Sequence, residues 1–110
     1  MMPAFGGSGL SVAERSVELS PEAADDLVAI AQYIAKDNAV AAQLWIERLV
    51  SKARQAARHP LAGRVVPEWR DPAIREVFLR TYRIVYEVQA KRIIVLTIFE
   101  GHRLIGKRRK

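Results

Sequence analysis

The chain has 110 residues, half of them apolar, no cysteine and a net charge of +6. That length describes one domain, which buries roughly 65% of the surface its extended chain would expose, enough for a core without covalent staples. The composition excludes disulfides and thiolate metal sites, and no apolar run nears the roughly 20 residues of a bilayer span. The N-terminus lacks the basic and apolar regions of a secretory signal, so a cytoplasmic protein is expected.

In chain order, residues 1–14 contain Gly6-Gly7-Ser8-Gly9 and little to pack, which predicts a mobile N-terminal arm. A single domain is expected over 15–104, followed by a basic tail at 105–110. Ser16-Val17-Glu18-Leu19 alternates polar and apolar residues as a short strand does. Ser20-Pro21-Glu22 then reads as a helix start: a serine to cap free amides, a proline at the first helical position, and Glu22, Asp25 and Asp26 at the positive end of the dipole. Leu27, Ile30, Ala31 and Ile34 form the stripe of a buried helix face.

Lys36-Asp37-Asn38 interrupts this helix, and Asn38 is placed to cap a second one carrying Ala42, Trp45, Ile46, Leu49 and Ala53 on one face. Alanines at 53, 56 and 57 allow a neighbour to come close. His59 precedes Pro60, which ends the helix and makes packing or capping the natural role of that imidazole. So short a break between two amphipathic helices predicts an antiparallel hairpin.

Leu61 to Ala73, with Gly63, Pro67 and Pro72, reads as one long loop. Ile74 to Leu79 is a strand, turned by Arg80-Thr81 into Tyr82–Val88. There Tyr82, Ile84, Tyr86 and Val88 share one face, and Arg83, Val85 and Glu87 the other. After the turn Gln89-Ala90-Lys91, residues Ile93 to Phe99 are apolar on both faces and rich in β-branching, as in a strand covered on two sides or one whose outer face binds something. Consecutive helices followed by consecutive strands predict an α+β fold: an antiparallel sheet packed against an N-terminal helical hairpin, in the order β-α-α-β-β-β.

Charge is uneven. Residues 1–60 hold six Lys/Arg and seven Asp/Glu, whereas 61–110 hold twelve and five. This points to an anionic partner, nucleic acid or acidic protein, or to a solubility charge alone. Dinucleotide, P-loop, serine-hydrolase and zinc-protease motifs are absent, and neither a metal nor another cofactor is expected. His102, between Gly101 and Arg103, is a candidate general base or simply an exposed polar residue. Arg75, Arg80 and Arg83 are candidate phosphate ligands. If Arg75 and Arg83 share a face they can grip an oxyanion together, or else pair with Glu76 and Glu87 as an ordinary ion network. Lys107-Arg108-Arg109-Lys110 would strengthen contact with any polyanion.

The ordered set LSPEAADDLVAIAQYIAKDN, HPLAGRVVPE, IREVFLRTYRIVYEV and RIIVLTIFEGHR, from about Val17 to Arg103, resembles the ParE/RelE superfamily of toxins from type II toxin–antitoxin modules. The resemblance implies a small toxin held inactive, as a hetero-oligomer, by a cognate antitoxin that lays a helix or extended tail across it. Leu27, Ile30, Ile34, Ile94, Leu96 and Ile98 are the expected antitoxin-binding residues. ParE-type toxins poison DNA gyrase; RelE-type toxins cut mRNA on the ribosome. The loop P-L-A-G-R-V-V-P-E resembles the ParE and plasmid-stabilisation side. Arg83 matches a phosphate-binding arginine of the RelE type, but ParE-like members often have it too. The RelE lysine pair and terminal tyrosine are missing, leaving Arg83 and His102 as the catalytic pair only if the chain is a nuclease. Arg75, Arg80, Arg83 and Arg103 would otherwise contact the target. A gyrase inhibitor is therefore expected, with a ribosome-dependent endoribonuclease and a non-toxic, antitoxin-binding co-repressor as alternatives.

Overall fold

The computed structural model describes residues 15–101. The expected arm, the basic tail, His102 and Arg103 lie outside them. The elements are β1 (Ser16–Leu19), α1 (Pro21–Ala35), α2 (Ala39–Arg58), a 3-10 turn (Pro60–Ala62), β2 (Arg64–Val65), β3 (Ile74–Leu79), β4 (Tyr82–Val88) and β5 (Arg92–Glu100). They form one five-stranded sheet in the order β1-β5-β4-β3-β2, with both helices on one face.

Both helices start where local chemistry dictates. The Ser20 hydroxyl accepts from the Ala23 amide at 3.0 Å and donates to the Leu96 carbonyl at 2.9 Å, so the cap also ties α1 to β5. Asn38 caps α2 by accepting from the Ala41 amide at 2.9 Å. Ala53, Ala56 and Ala57 are buried, and α2 settles closely on the sheet through them.

The fold class is as expected, with two refinements. The long loop contains β2, and β1 pairs with β5 in parallel, so the sheet is mixed rather than purely antiparallel. Both have one cause. Two helices and the strands β2, β3 and β4 make five alternating passes between β1 and β5, so the chain reverses six times, and an even number of reversals leaves the end strands parallel. The two-residue β2 supplies the pass that composition alone does not announce.

The sheet is covered on both sides. Ala23, Leu49, Ala53, Ile84, Val95 and Ile98 form the core beneath the helices, continued by Ala56, Ala57, Tyr86 and Ile93. On the far face Val66, Ile74 and Val85 pack with Trp69, Leu96 and Phe99, because the segment between β2 and β3 folds back over the sheet. The two-sided apolar character of β5 is thereby explained by a double covering.

β5 carries a bulge. Val85 pairs with Thr97 and Tyr86 with Val95, leaving Leu96 as the extra residue. Asp26 of α1 occupies the disturbed ladder: one carboxylate oxygen accepts from the Thr97 hydroxyl at 2.8 Å and the Ile98 amide at 2.9 Å. Its position suggested a dipole partner, yet Asp26 works as a staple between helix and sheet. Replacing it with alanine leaves a part-buried amide unpaired and is expected to cost about 1–3 kcal/mol, measured by urea unfolding.

Candidate functional site

The P-L-A-G-R-V-V-P-E segment is fastened to the sheet at several points. On the helix-facing side Tyr86 is fully buried and its hydroxyl donates to the Pro60 carbonyl at 2.7 Å. A Cβ on Gly63 would run into that hydroxyl, so glycine is required by close approach. Arg75 donates to the carbonyls of Leu61 (3.2 Å), Gly63 (3.0 Å) and Pro72 (2.9 Å). Its guanidinium therefore holds loop backbone.

Burial raises the Tyr86 hydroxyl pKa above its ordinary value near 10, against the opposing effects of Arg75 and a backbone hydrogen bond. A group whose folded pKa is raised contributes stability fully below the unfolded value of about 10, and that stability is lost as pH rises through the folded value. Tyr86→Phe is expected to cost about 1–2 kcal/mol at neutral pH. It should also flatten the loss of melting temperature in alkaline buffer, followed by circular dichroism from pH 8 upward.

The far face carries a charged cluster. The register sets Arg64 opposite Glu76, Phe78 opposite Arg83, and Arg83 opposite Phe99, so four strands bring these side chains together. Arg83 is 5% exposed and Glu76 1%. Arg83 donates through Nε at 2.8 Å, and through Nη2, to Glu76 Oε1. Arg64 takes the other oxygen through Nε at 2.7 Å and Nη2 at 2.6 Å. Glu68 meets the outward edge of Arg83 at 3.3–3.4 Å. The rings of Phe99 and Phe78 lie 5.2 and 5.8 Å from the Arg83 guanidinium, within cation–π range.

The Arg83 hydrogen bond holds the Glu68 carboxyl below the usual carboxylate range, burial opposing it. Burial likewise disfavours the Arg83 charge, but hydrogen bonds to Glu68 and Glu76 outweigh it and raise its pKa further.

The expected arginine constellation is thus dispersed. Arg75 pairs with Tyr86 and Arg83 with Phe78, an odd offset along β3 that puts the two arginines on opposite faces. The shared grip on one oxyanion is corrected accordingly. Arg83 instead joins the ion network that was the plainer alternative, with Glu76 as partner. Arg80 stands exposed in the two-residue β3–β4 loop at φ 57°, a left-handed conformation costly for a non-glycine residue.

The six expected antitoxin contacts also divide. Leu27 and Ile30 pack partly buried against the helix-side core, and Ile98 is buried within it. Ile34 is half-buried in α1, while Leu96 and Ile94 belong to the far side of β5. They do not make one surface. Leu27 and Ile98 do line a groove of about 400 Å³ between α2 and β1, floored by Val17, Leu49 and Ala53 and edged by Arg15, Arg54 and Arg58. Arg15 donates to the Gln89 carbonyl at 2.7 Å. Neither Arg54 nor Arg58 pairs with an acid among the described residues. Their i, i+4 spacing on α2 was the visible signal for this groove; what lay across from them was not. No group of three His, Asp or Glu residues that could hold a metal occurs among the described residues. Nor is any described helix long and apolar enough to cross a membrane.

This arrangement, both helices on one face of a mixed five-stranded sheet, is a fold shared with chains of solved toxin–antitoxin systems. A chain of the chromosomal ParDE system from P. aeruginosa superposes with a TM-score of 0.65 at 22% identity, over 79% of this chain and 96% of that one. A chain of the toxin–antitoxin complex RelBE2 from Mycobacterium tuberculosis superposes at 0.60 and 18% identity, over 82% and 94%. No curated protein sequence matches. The family described as the ParE toxin of type II toxin–antitoxin systems matches residues 17–105. The chain belongs to that family, and is a type II toxin–antitoxin toxin.

Proposed function

We propose that this toxin acts by inhibiting DNA gyrase in the cytoplasm and is neutralised by a cognate antitoxin seated in the α2–β1 groove. The observation that carries the gyrase reading is the state of Arg83. A nuclease of the RelE type needs that guanidinium for the scissile phosphate, whereas here it is buried on Glu76 and closed off by Glu68. Arg75 is on the opposite face and bound to loop carbonyls, so it cannot act with Arg83 on one phosphate. What remains for the target is a cationic surface, including the exposed Arg80, suited to binding rather than cleavage.

The groove supports the antitoxin assignment by charge and shape: an apolar floor rimmed by guanidiniums accepts an acidic, apolar segment. A supercoiling assay with purified toxin tests the gyrase reading. Supercoiling should fall and cleaved DNA should accumulate as toxin is added. Undisturbed gyrase at saturating toxin, together with mRNA ends on ribosomes, would establish the endoribonuclease instead. If neither activity nor any growth arrest is seen without antitoxin, the chain is a co-repressor.

A further inference from the structure

The groove between α2 and β1 leaves apolar side chains uncovered. Val17, Leu27 and Val50 are half-buried along it and Leu19 is 42% exposed, above the buried Leu49 and Ala53. Apolar surface gathered into a groove is a seat for a segment of chain. The rim carries three guanidiniums, Arg15, Arg54 and Arg58, so its occupant must be apolar and must not be cationic.

Two segments of this chain lie outside the described residues, and their charges differ. Residues 102–110 carry Arg103, Lys107, Arg108, Arg109 and Lys110, which the rim repels. Residues 1–14 have no lysine or arginine and a single acid, Glu14. They precede the family match, which begins at residue 17, so nothing in the family pattern accounts for them.

Attachment and length fit as well. The arm joins the described chain at Arg15, which is itself on the rim and immediately precedes β1. From Arg15 to Leu19 the β1 wall runs about 13 Å, four steps of an extended strand. Residues 6–14 separate Arg15 from the apolar run Met1-Met2-Pro3-Ala4-Phe5, and nine residues of this Gly- and Ser-containing composition have a root-mean-square span of about 16 Å. The run therefore reaches back along the whole wall. Tethering over that span is equivalent to a concentration on the order of 1 mM. An intrinsic affinity of about 0.1 mM then fills the groove about nine-tenths of the time, and a second occupant binds about tenfold more weakly.

We infer that residues 1–5 dock into the α2–β1 groove of the same molecule through Met2 and Phe5, as a built-in competitor that the antitoxin must displace. The docking is independent of the antitoxin; the competition rests on the groove being the antitoxin's seat, as proposed above.

The chain contains no cysteine, so disulfide trapping in the full-length protein has no background. Ala4→Cys paired with Arg54→Cys, on the groove rim, should close an intramolecular disulfide about tenfold faster than the same pair carrying Met2→Ser and Phe5→Ser. Ala4→Cys paired with Arg80→Cys, a site that does not line the groove, should be slow and indifferent to the serines. The arm substitutions precede the family match, and Arg54 and Arg80 are exposed, so the fold is kept. In the chain without added cysteines, Met2→Ser with Phe5→Ser should bind the cognate antitoxin about tenfold more tightly in calorimetric titration. Equal trapping rates with and without the serines overturn the inference, since tethering alone then explains the contact. Disulfides between molecules in place of within one overturn it too, and give the groove to a second copy. Serine-sensitive trapping with unchanged antitoxin affinity upholds the docking and overturns only the antitoxin's place in the groove.

Discussion

Replacing Glu76 with alanine is expected to destabilise the protein by about 3–5 kcal/mol, the largest effect of any single substitution considered. The reason is asymmetry. Glu76 is the inner acid between two guanidiniums, and removing it leaves Arg83, with a side chain only 7% exposed, without its closest counter-charge. Arg64 can swing into water, but Arg83 stands between the rings of Phe78 and Phe99 and cannot do so cheaply. Removing both charges should behave differently. Glu76→Leu combined with Arg83→Met replaces the pair with apolar bulk and should lie within about 1–2 kcal/mol of the unmodified protein, because no orphan charge remains. Urea unfolding of the two single variants and the double variant closes the cycle. A cost below about 1 kcal/mol for Glu76→Ala would mean that the network does not hold the far face together.

The second large effect concerns the partner. Reversing the groove rim with Arg54→Glu and Arg58→Glu should weaken antitoxin binding about 100-fold, near 2.7 kcal/mol at 25 °C. Both residues are exposed on α2 and unpaired with acids among the described residues, so the protein alone should keep its stability within about 0.5 kcal/mol. Much of the loss should appear in the association rate and shrink as salt is raised. Calorimetric titration at two ionic strengths measures it. Unchanged affinity would place the antitoxin elsewhere.

Much of the framework is local, and was legible for that reason. Ser20-Pro21 and Asn38 start helices because their side chains reach amides three residues on, a geometry independent of the rest of the fold. The alanines of α2 and the two-sided apolar β5 state how closely each will be covered. The opposite placement of Arg75 and Arg83 was also within reach. A two-residue loop at Arg80-Thr81 pairs Leu79 with Tyr82, and the period of two then puts Arg75 with Tyr86 and Arg83 with Phe78. A shared face is one of two readings that sequence proximity leaves open, and this parity decides against it.

What no local pattern contains is the covering of the far face. Glu68 meets Arg83 across 15 residues and Arg64 meets Glu76 across 12, through a segment whose prolines and glycine mark only that it is irregular. The groove likewise joins α2 to β1, and β1 takes its place only after β5, formed some 75 residues later, gives it an edge to pair with. The sequence by itself determined the helical hairpin, the strands that follow it, their apolar faces and the charge they carry, since each depends on neighbours within a turn or a hairpin. Tertiary structure decided which of those charges are free. Arg75 is bound to a loop, Arg83 is closed by two acids, and Arg54 and Arg58 stand open over an apolar floor, because pairing partners are set by which distant segments the sheet brings within hydrogen-bond reach.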